Sequence, residues 1–195
     1  MNTGGRMRRT LGMMLATALS FGALAGCVPN GSAVGDSQKS DTTVSHSEED
    51  RASVTVALIG SSDTDADSMA MNAMESGKLK PIYITVSGTD DEQRTAQQGV
   101  RDMSQRKADI IIVSGINVTD DTRDAWNEAL ETARKAGIPV ALLNPVSVPD
   151  DDVLYAATLT VNDRMTDAVP LADAVVTLIN NDAHEREMFV TTVTQ

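Results

Sequence analysis

Short runs of branched apolar residues alternate with longer amphipathic segments along most of this chain. Residues 54–59, 110–113 and 140–143 are apolar runs of strand length, broken only by Thr55, and each is followed by a polar or glycine-containing stretch. A strand that is apolar on both faces must be covered on both faces, which is typical of parallel sheets. Because parallel neighbours need a crossover, the segments between them are expected to be helices. The alternation predicts an α/β domain with an open parallel sheet sandwiched by helices.

The spacing of apolar residues also predicts the remaining elements. Further strands are expected over residues 82–86, 153–157 and 188–193. Helices are expected to end at Gly77, to cover residues 90–107, to run from a cap at Asp120 or Asp121 to Ala136, and to cover residues 167–179. Trp126 lies on the apolar face of the third of these helices, which predicts a packing role. In such sheets ligands bind at the carboxyl ends of the strands, near the switch point in strand order.

The amino terminus has the pattern of an export signal. Three arginines in the first nine residues precede an apolar stretch from Leu11 to Ala25 that is short for a transmembrane helix. The sequence Leu24-Ala25-Gly26-Cys27 then resembles a bacterial lipobox. The resemblance implies cleavage before Cys27 and attachment of a diacylglycerol and a fatty acid such as palmitate to it. The chain is therefore expected to be secreted and lipid-anchored to the outer face of the bacterial cell membrane.

Composition fits this organisation and excludes some partners. Cys27 is the only cysteine, so no disulfide framework is possible. We predict a signal peptide over residues 1–26, the lipidated cysteine and a flexible linker over 27–52, and the α/β domain over 53–195. All 28 acidic residues lie after the signal peptide, against 16 basic residues in the whole chain. That balance argues against nucleic acid as a partner.

Three segments carry a resemblance to a known family. Lys107-Ala108-Asp109-Ile110-Ile111-Ile112-Val113 leads into a helix that ends in Ala136-Gly137-Ile138-Pro139-Val140. Together they resemble type I periplasmic solute-binding proteins, the ribose- and galactose-binding-like receptors of sugar ABC importers. Leu159-Thr160-Val161-Asn162-Asp163 resembles the hinge segment of that family. The resemblance implies a flavodoxin-like strand order, a small polar solute such as a sugar, and an ABC permease as partner.

The resemblance also implies a set of ligand-binding residues at the carboxyl ends of the strands. They combine hydroxyl, amide and carboxylate groups, which suit the hydroxyls of a sugar. By position they are Ser61, Ser62, Asp63, Ser114, Asn117, Asn144, Asn162 and Asp163. Sugar receptors of this family usually stack an aromatic ring on the sugar, and none of these loops carries an aromatic residue.

The family has two lobes, whereas this sequence is expected to provide the amino-terminal lobe, the hinge and the first part of the second lobe. The missing lobe is either lost or supplied by a second chain. Residues 188–193 are therefore expected to dock on the single sheet or to pair with another chain. The alternative to a solute receptor is a protein-interaction module without a transport role, or a non-functional truncated remnant.

Other chemistry finds little support in the sequence. There is no GxGxxG, P-loop, GxSxG or HExxH motif, so we predict neither an enzyme nor a cofactor. The acidic stretch 63–67 resembles the start of a calcium loop, but it lacks the glycine at position six and the glutamate at position twelve. An acidic helix amino terminus is the simpler interpretation, and no metal is predicted.

Overall fold

Strands and helices alternate along the described part of the chain, which in this computed structural model comprises residues 32–36 and 51–194. The strands are β1 (Thr55–Ile59), β2 (Lys80–Ile84), β3 (Ile110–Ser114), β4 (Val140–Leu143), β5 (Ala157–Val161), β6 (Val169–Pro170) and β7 (Glu187–Thr191). The α-helices are α1 (Thr64–Ser76), α2 (Glu92–Gln105), α3 (Arg123–Lys135) and α4 (Leu171–Ile179), with one 3₁₀ turn at Asp152–Leu154. The predicted signal peptide and Cys27 lie outside the described residues.

The strands form one sheet in the order β2-β1-β3-β4-β5-β7-β6, and every neighbouring pair is parallel. The first five positions reproduce the flavodoxin-like order, with its switch point between β1 and β3. The central strands β3 and β4 are buried along their whole length. The predicted fold class, an open parallel sheet sandwiched by helices in flavodoxin-like order, is confirmed.

The helices cover the two faces of the sheet to different extents. On one face α1 and α4 pack on alternate residues of all five long inner strands, and α4 itself is apolar enough to be largely buried. On the other face α2 and α3 pack on β1, β3 and β4. The residues of β5 and β7 that point toward this second face remain partly or fully exposed. One side of β5 and β7 is therefore open.

The prediction of a strand over residues 153–157 is wrong. Residues Asp152–Leu154 form a 3₁₀ turn, which Asp151 caps by accepting a hydrogen bond from the backbone N–H of Val153. The strand begins four residues later, where Ala157 pairs with Ala141 of β4. The segment 159–163, which resembles a hinge, therefore supplies most of β5 and its exit turn. Pairing with β4 determines which residues form β5. The apolar content of residues 153–157 alone does not determine it.

Three element boundaries also differ from the predictions. The second strand spans Lys80–Ile84 because its pairing with β1 begins at Thr55 and Lys80, and Pro81 is tolerated on this edge strand. The third helix begins after Thr122, so neither Asp120 nor Asp121 is its cap. The fourth helix begins at Leu171 instead of residue 167, because Val169 and Pro170 are extended and pair with β7.

The last strand docks on the sheet, as predicted. β7 lies between β5 and β6 and pairs in parallel with both. Val190 is fully buried and Met188 packs against the core formed with α1 and α4. The strand is therefore an integral part of the domain.

Trp126 has the packing role that the sequence predicts, and its loss is expected to destabilise the domain strongly. The side chain is fully buried in the α2–α3 layer and its indole N–H donates to Gln93 Oε1 at 2.9 Å. Trp126→Ala should reduce the free energy of unfolding by about 3–5 kcal/mol, as expected for a large buried aromatic. Chemical denaturation followed by circular dichroism measures this loss.

The variant Gln93→Ala is the matched control, because it removes the hydrogen bond and leaves the indole in place. It should cost about 1 kcal/mol. If Trp126→Ala reduced the free energy of unfolding by less than about 1 kcal/mol, the packing role would be contradicted.

Candidate ligand-binding site

Polar loops follow β1, β3, β4 and β5 at the edge of the sheet where the strands end, here named the carboxyl edge. The loops after β1 and β3 are in contact at the switch point. Gly115 has a φ of 61°, and a Cβ added there would lie 3.0 Å from the Cβ of Ser61. A side chain at position 115 would therefore displace the first loop. The carboxyl edge brings together the loops that the sequence predicts to bind a ligand.

A buried carboxylate, Asp67, organises the loop after β1. The residue is 1% exposed, and its Oδ2 accepts from the backbone N–H of Ser61 at 2.7 Å and from the Tyr83 hydroxyl at 3.0 Å. Burial of the phenol, followed by its interaction with Asp67, raises the pKa of Tyr83. The Ser61 hydroxyl also lies 3.3 Å from Asp67 Oδ1. Ser61 thus uses both its backbone N–H and its hydroxyl for hydrogen bonds to Asp67 within the domain.

The first candidate cavity lies between the loops after β1 and β3. Ser61, Ser62 and Ser114 contribute to its walls, with Gln93 and Trp126 behind them, and its volume is about 50 Å³. Pockets that hold small molecules have volumes of about 300–1,000 Å³. This cavity has room for a few water molecules and is too small for a monosaccharide.

Two asparagines near the exits of β3 and β4 hold loops together. Asn117 Oδ1 accepts from the Ser147 hydroxyl at 3.0 Å, which ties the loop after β3 to the loop after β4. Asn144 has a φ of 45°, a left-handed conformation that asparagine adopts more readily than most residues. Its Oδ1 accepts from the backbone N–H of Val161 at 2.8 Å, so it joins β4 to β5.

The remaining candidates also use their side chains within the fold. Asp63 caps α1 by accepting from the backbone N–H of Ala66 at 3.1 Å. Asn162 Oδ1 accepts from the N–H of Arg164 at 3.3 Å in the turn after β5.

Asp163 pins the end of β7. Its Oδ1 accepts from the backbone N–H of Thr192 at 2.7 Å and from the Thr191 hydroxyl at 2.9 Å, while Oδ2 accepts from the Thr192 hydroxyl at 2.8 Å. The backbone hydrogen bond from Thr192, reinforced by these hydroxyls, lowers the pKa of Asp163. The carboxylate joins the exit of β5 to the end of β7.

The eight predicted residues therefore share one edge without forming one pocket. Ser61, Ser62 and Ser114 meet in the small cavity, and Asn144 lies at a different and larger groove. Asp163 borders a third depression beside α4. Most of their polar atoms already have partners within the chain.

The groove beside Asn144 lies on the open side of β5 and β7, and it is here named the β5–β7 groove. It has a volume of about 430 Å³, within the range of small-molecule pockets. Its lining combines an aromatic ring, aliphatic side chains, hydroxyls, an amide and a carboxylate. The lining residues are Asn144, Pro145, Val148, Thr158, Thr160, Glu187, Met188 and Phe189.

Sequence reasoning predicts only Asn144 among these residues. The register places Thr158 beside Glu187 and Thr160 beside Phe189, so four side chains converge from two neighbouring strands. The alternation of side chains in β7 could have predicted the exposed position of Phe189. Met188 and Val190 share the face that packs on the core, so Phe189 must lie on the opposite face. Phe189 is 50% exposed and supplies the aromatic surface that the predicted loops lack.

The described residues include no group of three or more histidine, cysteine, aspartate or glutamate side chains that could hold a metal ion. Within residues 63–67, which resemble the start of a calcium loop, Asp63 caps α1 and Asp67 is buried. None of the described helices is long and apolar enough to cross a membrane.

No protein-family model and no curated protein matches this chain. Several solved structures share part of the fold at low identity, including the three that follow. A pilus assembly-related protein of Burkholderia pseudomallei is 14% identical with a TM-score of 0.45, and the match covers 70% of this chain and 96% of that protein. A Mycobacterium smegmatis protein in complex with β-D-fucofuranose is 17% identical with a TM-score of 0.46, covering 71% of this chain and 54% of that one.

The third is an ABC transporter periplasmic solute-binding protein of Actinobacillus succinogenes with bound D-allose. It is 17% identical with a TM-score of 0.40, and the match covers 71% of this chain and 58% of that protein. The chain thus spans little more than half the length of these two sugar-bound proteins. Identities this low do not assign a ligand.

Removal of the Asp163 carboxylate should destabilise the domain in a pH-dependent manner. Because folding lowers the pKa of this carboxylate below its ordinary value of 3.8, its contribution is present above that value and is lost as the pH falls through the folded-state pKa. Asp163→Asn should lower the Tm at pH 7 by about 2–4 °C. Thermal melts at pH 7 and pH 3 measure this effect, and the difference from the parent should shrink at pH 3.

The exposed residue Asp121 provides a matched control, since Asp121→Asn removes a carboxylate of the same edge. That variant should melt with the parent at both pH values. A Tm for Asp163→Asn that equals the parent at pH 7 would contradict the role of Asp163.

Proposed function

We propose that this chain is a lipid-anchored extracytoplasmic binding protein whose single lobe takes a small polar solute, of the monosaccharide class, in the β5–β7 groove. One observation carries the proposal. An exposed phenylalanine ring stands beside hydroxyl, amide and carboxylate groups in a depression of about 430 Å³.

The lining suits a sugar chemically. A pyranose has an apolar C–H face and a rim of hydroxyl groups. The ring of Phe189 offers an apolar surface for that face. Thr158 and Thr160 can donate and accept hydrogen bonds, and the carboxylate of Glu187 can accept from two neighbouring hydroxyls. Thr158 and Thr160 lie on β5, and Glu187 lies on β7 about 4.8 Å away. Their polar groups therefore stand beside the ring of Phe189.

A groove on one face of a sheet leaves much of a bound sugar in water. Hydrogen bonds to the protein then replace hydrogen bonds to water and contribute little net free energy. We expect Kd values in the millimolar range, about −4 kcal/mol. A permease or a second chain that covers the groove would supply the second wall and raise the affinity.

The anchor belongs to the same proposal and rests on the lipobox-like sequence before Cys27. Two acyl chains hold a protein on a bilayer, whereas one binds only marginally. A diacylglycerol on Cys27 would therefore suffice. The proposed partners are a small sugar, the membrane through the lipid, and an ABC permease. No catalytic activity is part of the proposal.

The open side of β5 and β7 also favours a second candidate, a protein-interaction module. Val148 and Phe189 are 39% and 50% exposed and line the same groove beside Pro145. Exposed apolar residues in one depression are typical of surfaces that bind another protein. In this case a segment of a partner protein would occupy the groove in place of a sugar.

Binding of sugars should depend on Phe189. We expect one or more monosaccharides at millimolar concentration to raise the Tm of the exported Cys27→Ser protein, since a ligand that binds only the folded state stabilises it. Phe189→Ala should abolish this shift and Glu187→Gln should reduce it. The measurement is a thermal-shift screen followed by calorimetry.

Met69→Ala is the matched control, because Met69 is 49% exposed on α1 and does not line the groove. That variant should keep the sugar-dependent shift. A cooperative melt without a shift for any sugar would overturn the sugar proposal, and capture of a protein that is lost in Phe189→Ala would favour the interaction module.

Lipidation should depend entirely on Cys27, because the chain has no other cysteine. In a bacterial host that exports the full chain, an alkyne analogue of palmitate should label the protein and cell fractionation should recover it with membranes. Cys27→Ser should remove the label and release the protein from the membrane fraction. Ser32→Ala, which keeps the cysteine, should leave both results unchanged. An unlabelled parent protein would contradict the anchor.

A further inference from the structure

Residues 32–36 lie within the segment that the sequence predicts as a linker, and they pack against the domain. Ala33 is 3% exposed and Gly35 is buried. Gly35 has a φ of 80°, and an added Cβ would lie 2.8 Å from the Cβ of Pro139 and 2.9 Å from the carbonyl oxygen of Leu178. The site around Gly35 therefore accepts only glycine without a shift of the backbone.

Polar contacts hold the same segment at both ends. Asp36 Oδ2 lies 2.6 Å from the guanidinium Nη1 of Arg186, and the Asp36 side chain is 8% exposed. The Nε2 of His184 lies 2.8 Å from the carbonyl oxygen of Gly35. At the other end, Arg134 Nη2 donates to the carbonyl oxygen of Ser32 at 3.5 Å. The partners in the domain are more than 100 residues away in sequence, so the contact is tertiary.

Arg186 is itself fixed by the domain before it meets Asp36. Its Nη2 donates to the carbonyl oxygens of Asp152 and Tyr155, and its guanidinium lies 4.8 Å from the centroid of the Tyr155 ring. An arginine held by two carbonyls and an aromatic ring has lost its rotamer freedom already. The ion pair with Asp36 therefore costs little further entropy.

The docked segment lies at the edge of the sheet opposite the carboxyl edge. Pro139, Ala156 and Arg186 each directly precede a strand, namely β4, β5 and β7. Strands of four or five residues separate the two edges by about 15 Å at 3.3 Å per residue. The segment thus covers the amino-terminal edge of the sheet at β4, β5 and β7. This edge is here named the amino edge.

We infer that residues 32–36 orient the domain on the membrane, with the amino edge toward the bilayer and the carboxyl edge away from it. The inference rests on the lipid anchor of the proposed function. Four residues lie between Cys27 and Ser32, so the five steps from one Cα to the other span at most about 18 Å. Without docking, the anchor would join the domain at residue 51 and reach up to about 85 Å. The docked segment shortens the tether and fixes its point of attachment.

The distribution of charge favours the same orientation. Acidic side chains are concentrated in the turns after the strands and in the first turns of the helices, all at the carboxyl edge. They include Asp63, Asp65, Asp67, Asp90, Asp91, Glu92, Asp120, Asp121, Asp124, Asp163, Asp167 and Asp173. The basic residues of that edge are Arg94, Arg123 and Arg164. An anionic lipid surface repels such an edge within about one Debye length.

Energy transfer from two positions on one helix tests the orientation. A donor dye is placed on a new cysteine at Lys135→Cys or Asp120→Cys in the full-length protein, after mass spectrometry has shown that Cys27 carries its lipid. These sites are exposed near the two ends of α3, about 20 Å apart. The protein is reconstituted in phosphatidylcholine vesicles that contain an acceptor-labelled headgroup lipid. We expect at least twofold more efficient transfer from position 135 than from position 120.

Undocking of the segment should abolish the difference between the two positions. Gly35→Val introduces the clash described above, and Asp36→Asn weakens the ion pair as a second, milder variant. Both should bring the two transfer efficiencies together, while Val34→Ala in the same segment should not. The fluorescence of Trp126 verifies that each variant is folded. Equal transfer from both positions in the parent protein would overturn the inference.

Hydrogen exchange separates failure of the docking from failure of the anchor. In the exported Cys27→Ser protein, amides of residues 33–36 should exchange more slowly than in Gly35→Val. Rapid exchange in the parent would overturn the docking itself. A parent protein that lacks lipid and does not bind vesicles, with protection intact, would instead overturn the anchor of the proposed function.

Discussion

Burial of β3 and β4 on both faces is the constraint on which the rest of the structure depends. Neither strand has a polar face, so helices must cover them on both sides. Covering both sides requires crossovers, and crossovers make the sheet parallel. A parallel sheet has two chemically different edges, because every strand ends at one edge and begins at the other. The loops with candidate ligand residues and the docked segment 32–36 occupy opposite edges for this reason.

On the face of the sheet that carries α2 and α3, the helices cover the strands only as far as β4. The β5–β7 groove exists because β5 and β7 are not covered on this face. α3 and the 3₁₀ turn at Asp152–Leu154 are the last elements on the side of α2. Beyond them Thr160 and Phe189 lie on strands whose other face packs against the core formed with α1 and α4. Pairing and core packing hold the two strands in place, so the groove has a rigid floor. A rigid floor with mixed polar and aromatic groups can bind a ligand without an ordering cost in the backbone.

The sequence predicted the fold well because its strongest signals are local. The apolar runs of β3 and β4 and the glycine and proline after α3 require no knowledge of distant residues. β5 was misplaced because its register depends on pairing with β4, and 153–157 is as apolar as the true strand. The candidate residues lie at the carboxyl edge, as the strand pattern predicts, but two of them have partners that are remote in sequence. Asp163 bonds Thr192, and Asn117 bonds Ser147, each about 30 residues away, so spacing could not reveal that these side chains hold the fold.

The docked segment and the β5–β7 groove both contact the strand β7 or the residue that directly precedes it. Arg186 contacts Asp36 at the amino edge, and the next residue, Glu187, lines the groove. Side chains two residues apart on a strand share one face, so Glu187 and Phe189 both line the groove on the strand that Arg186 directly precedes. Asp163 fixes the other end of the same strand through Thr191 and Thr192. Carboxylates thus hold β7 at both ends, Asp36 through Arg186 and Asp163 through Thr191 and Thr192, and the strand that lines the groove is fixed from both edges of the sheet.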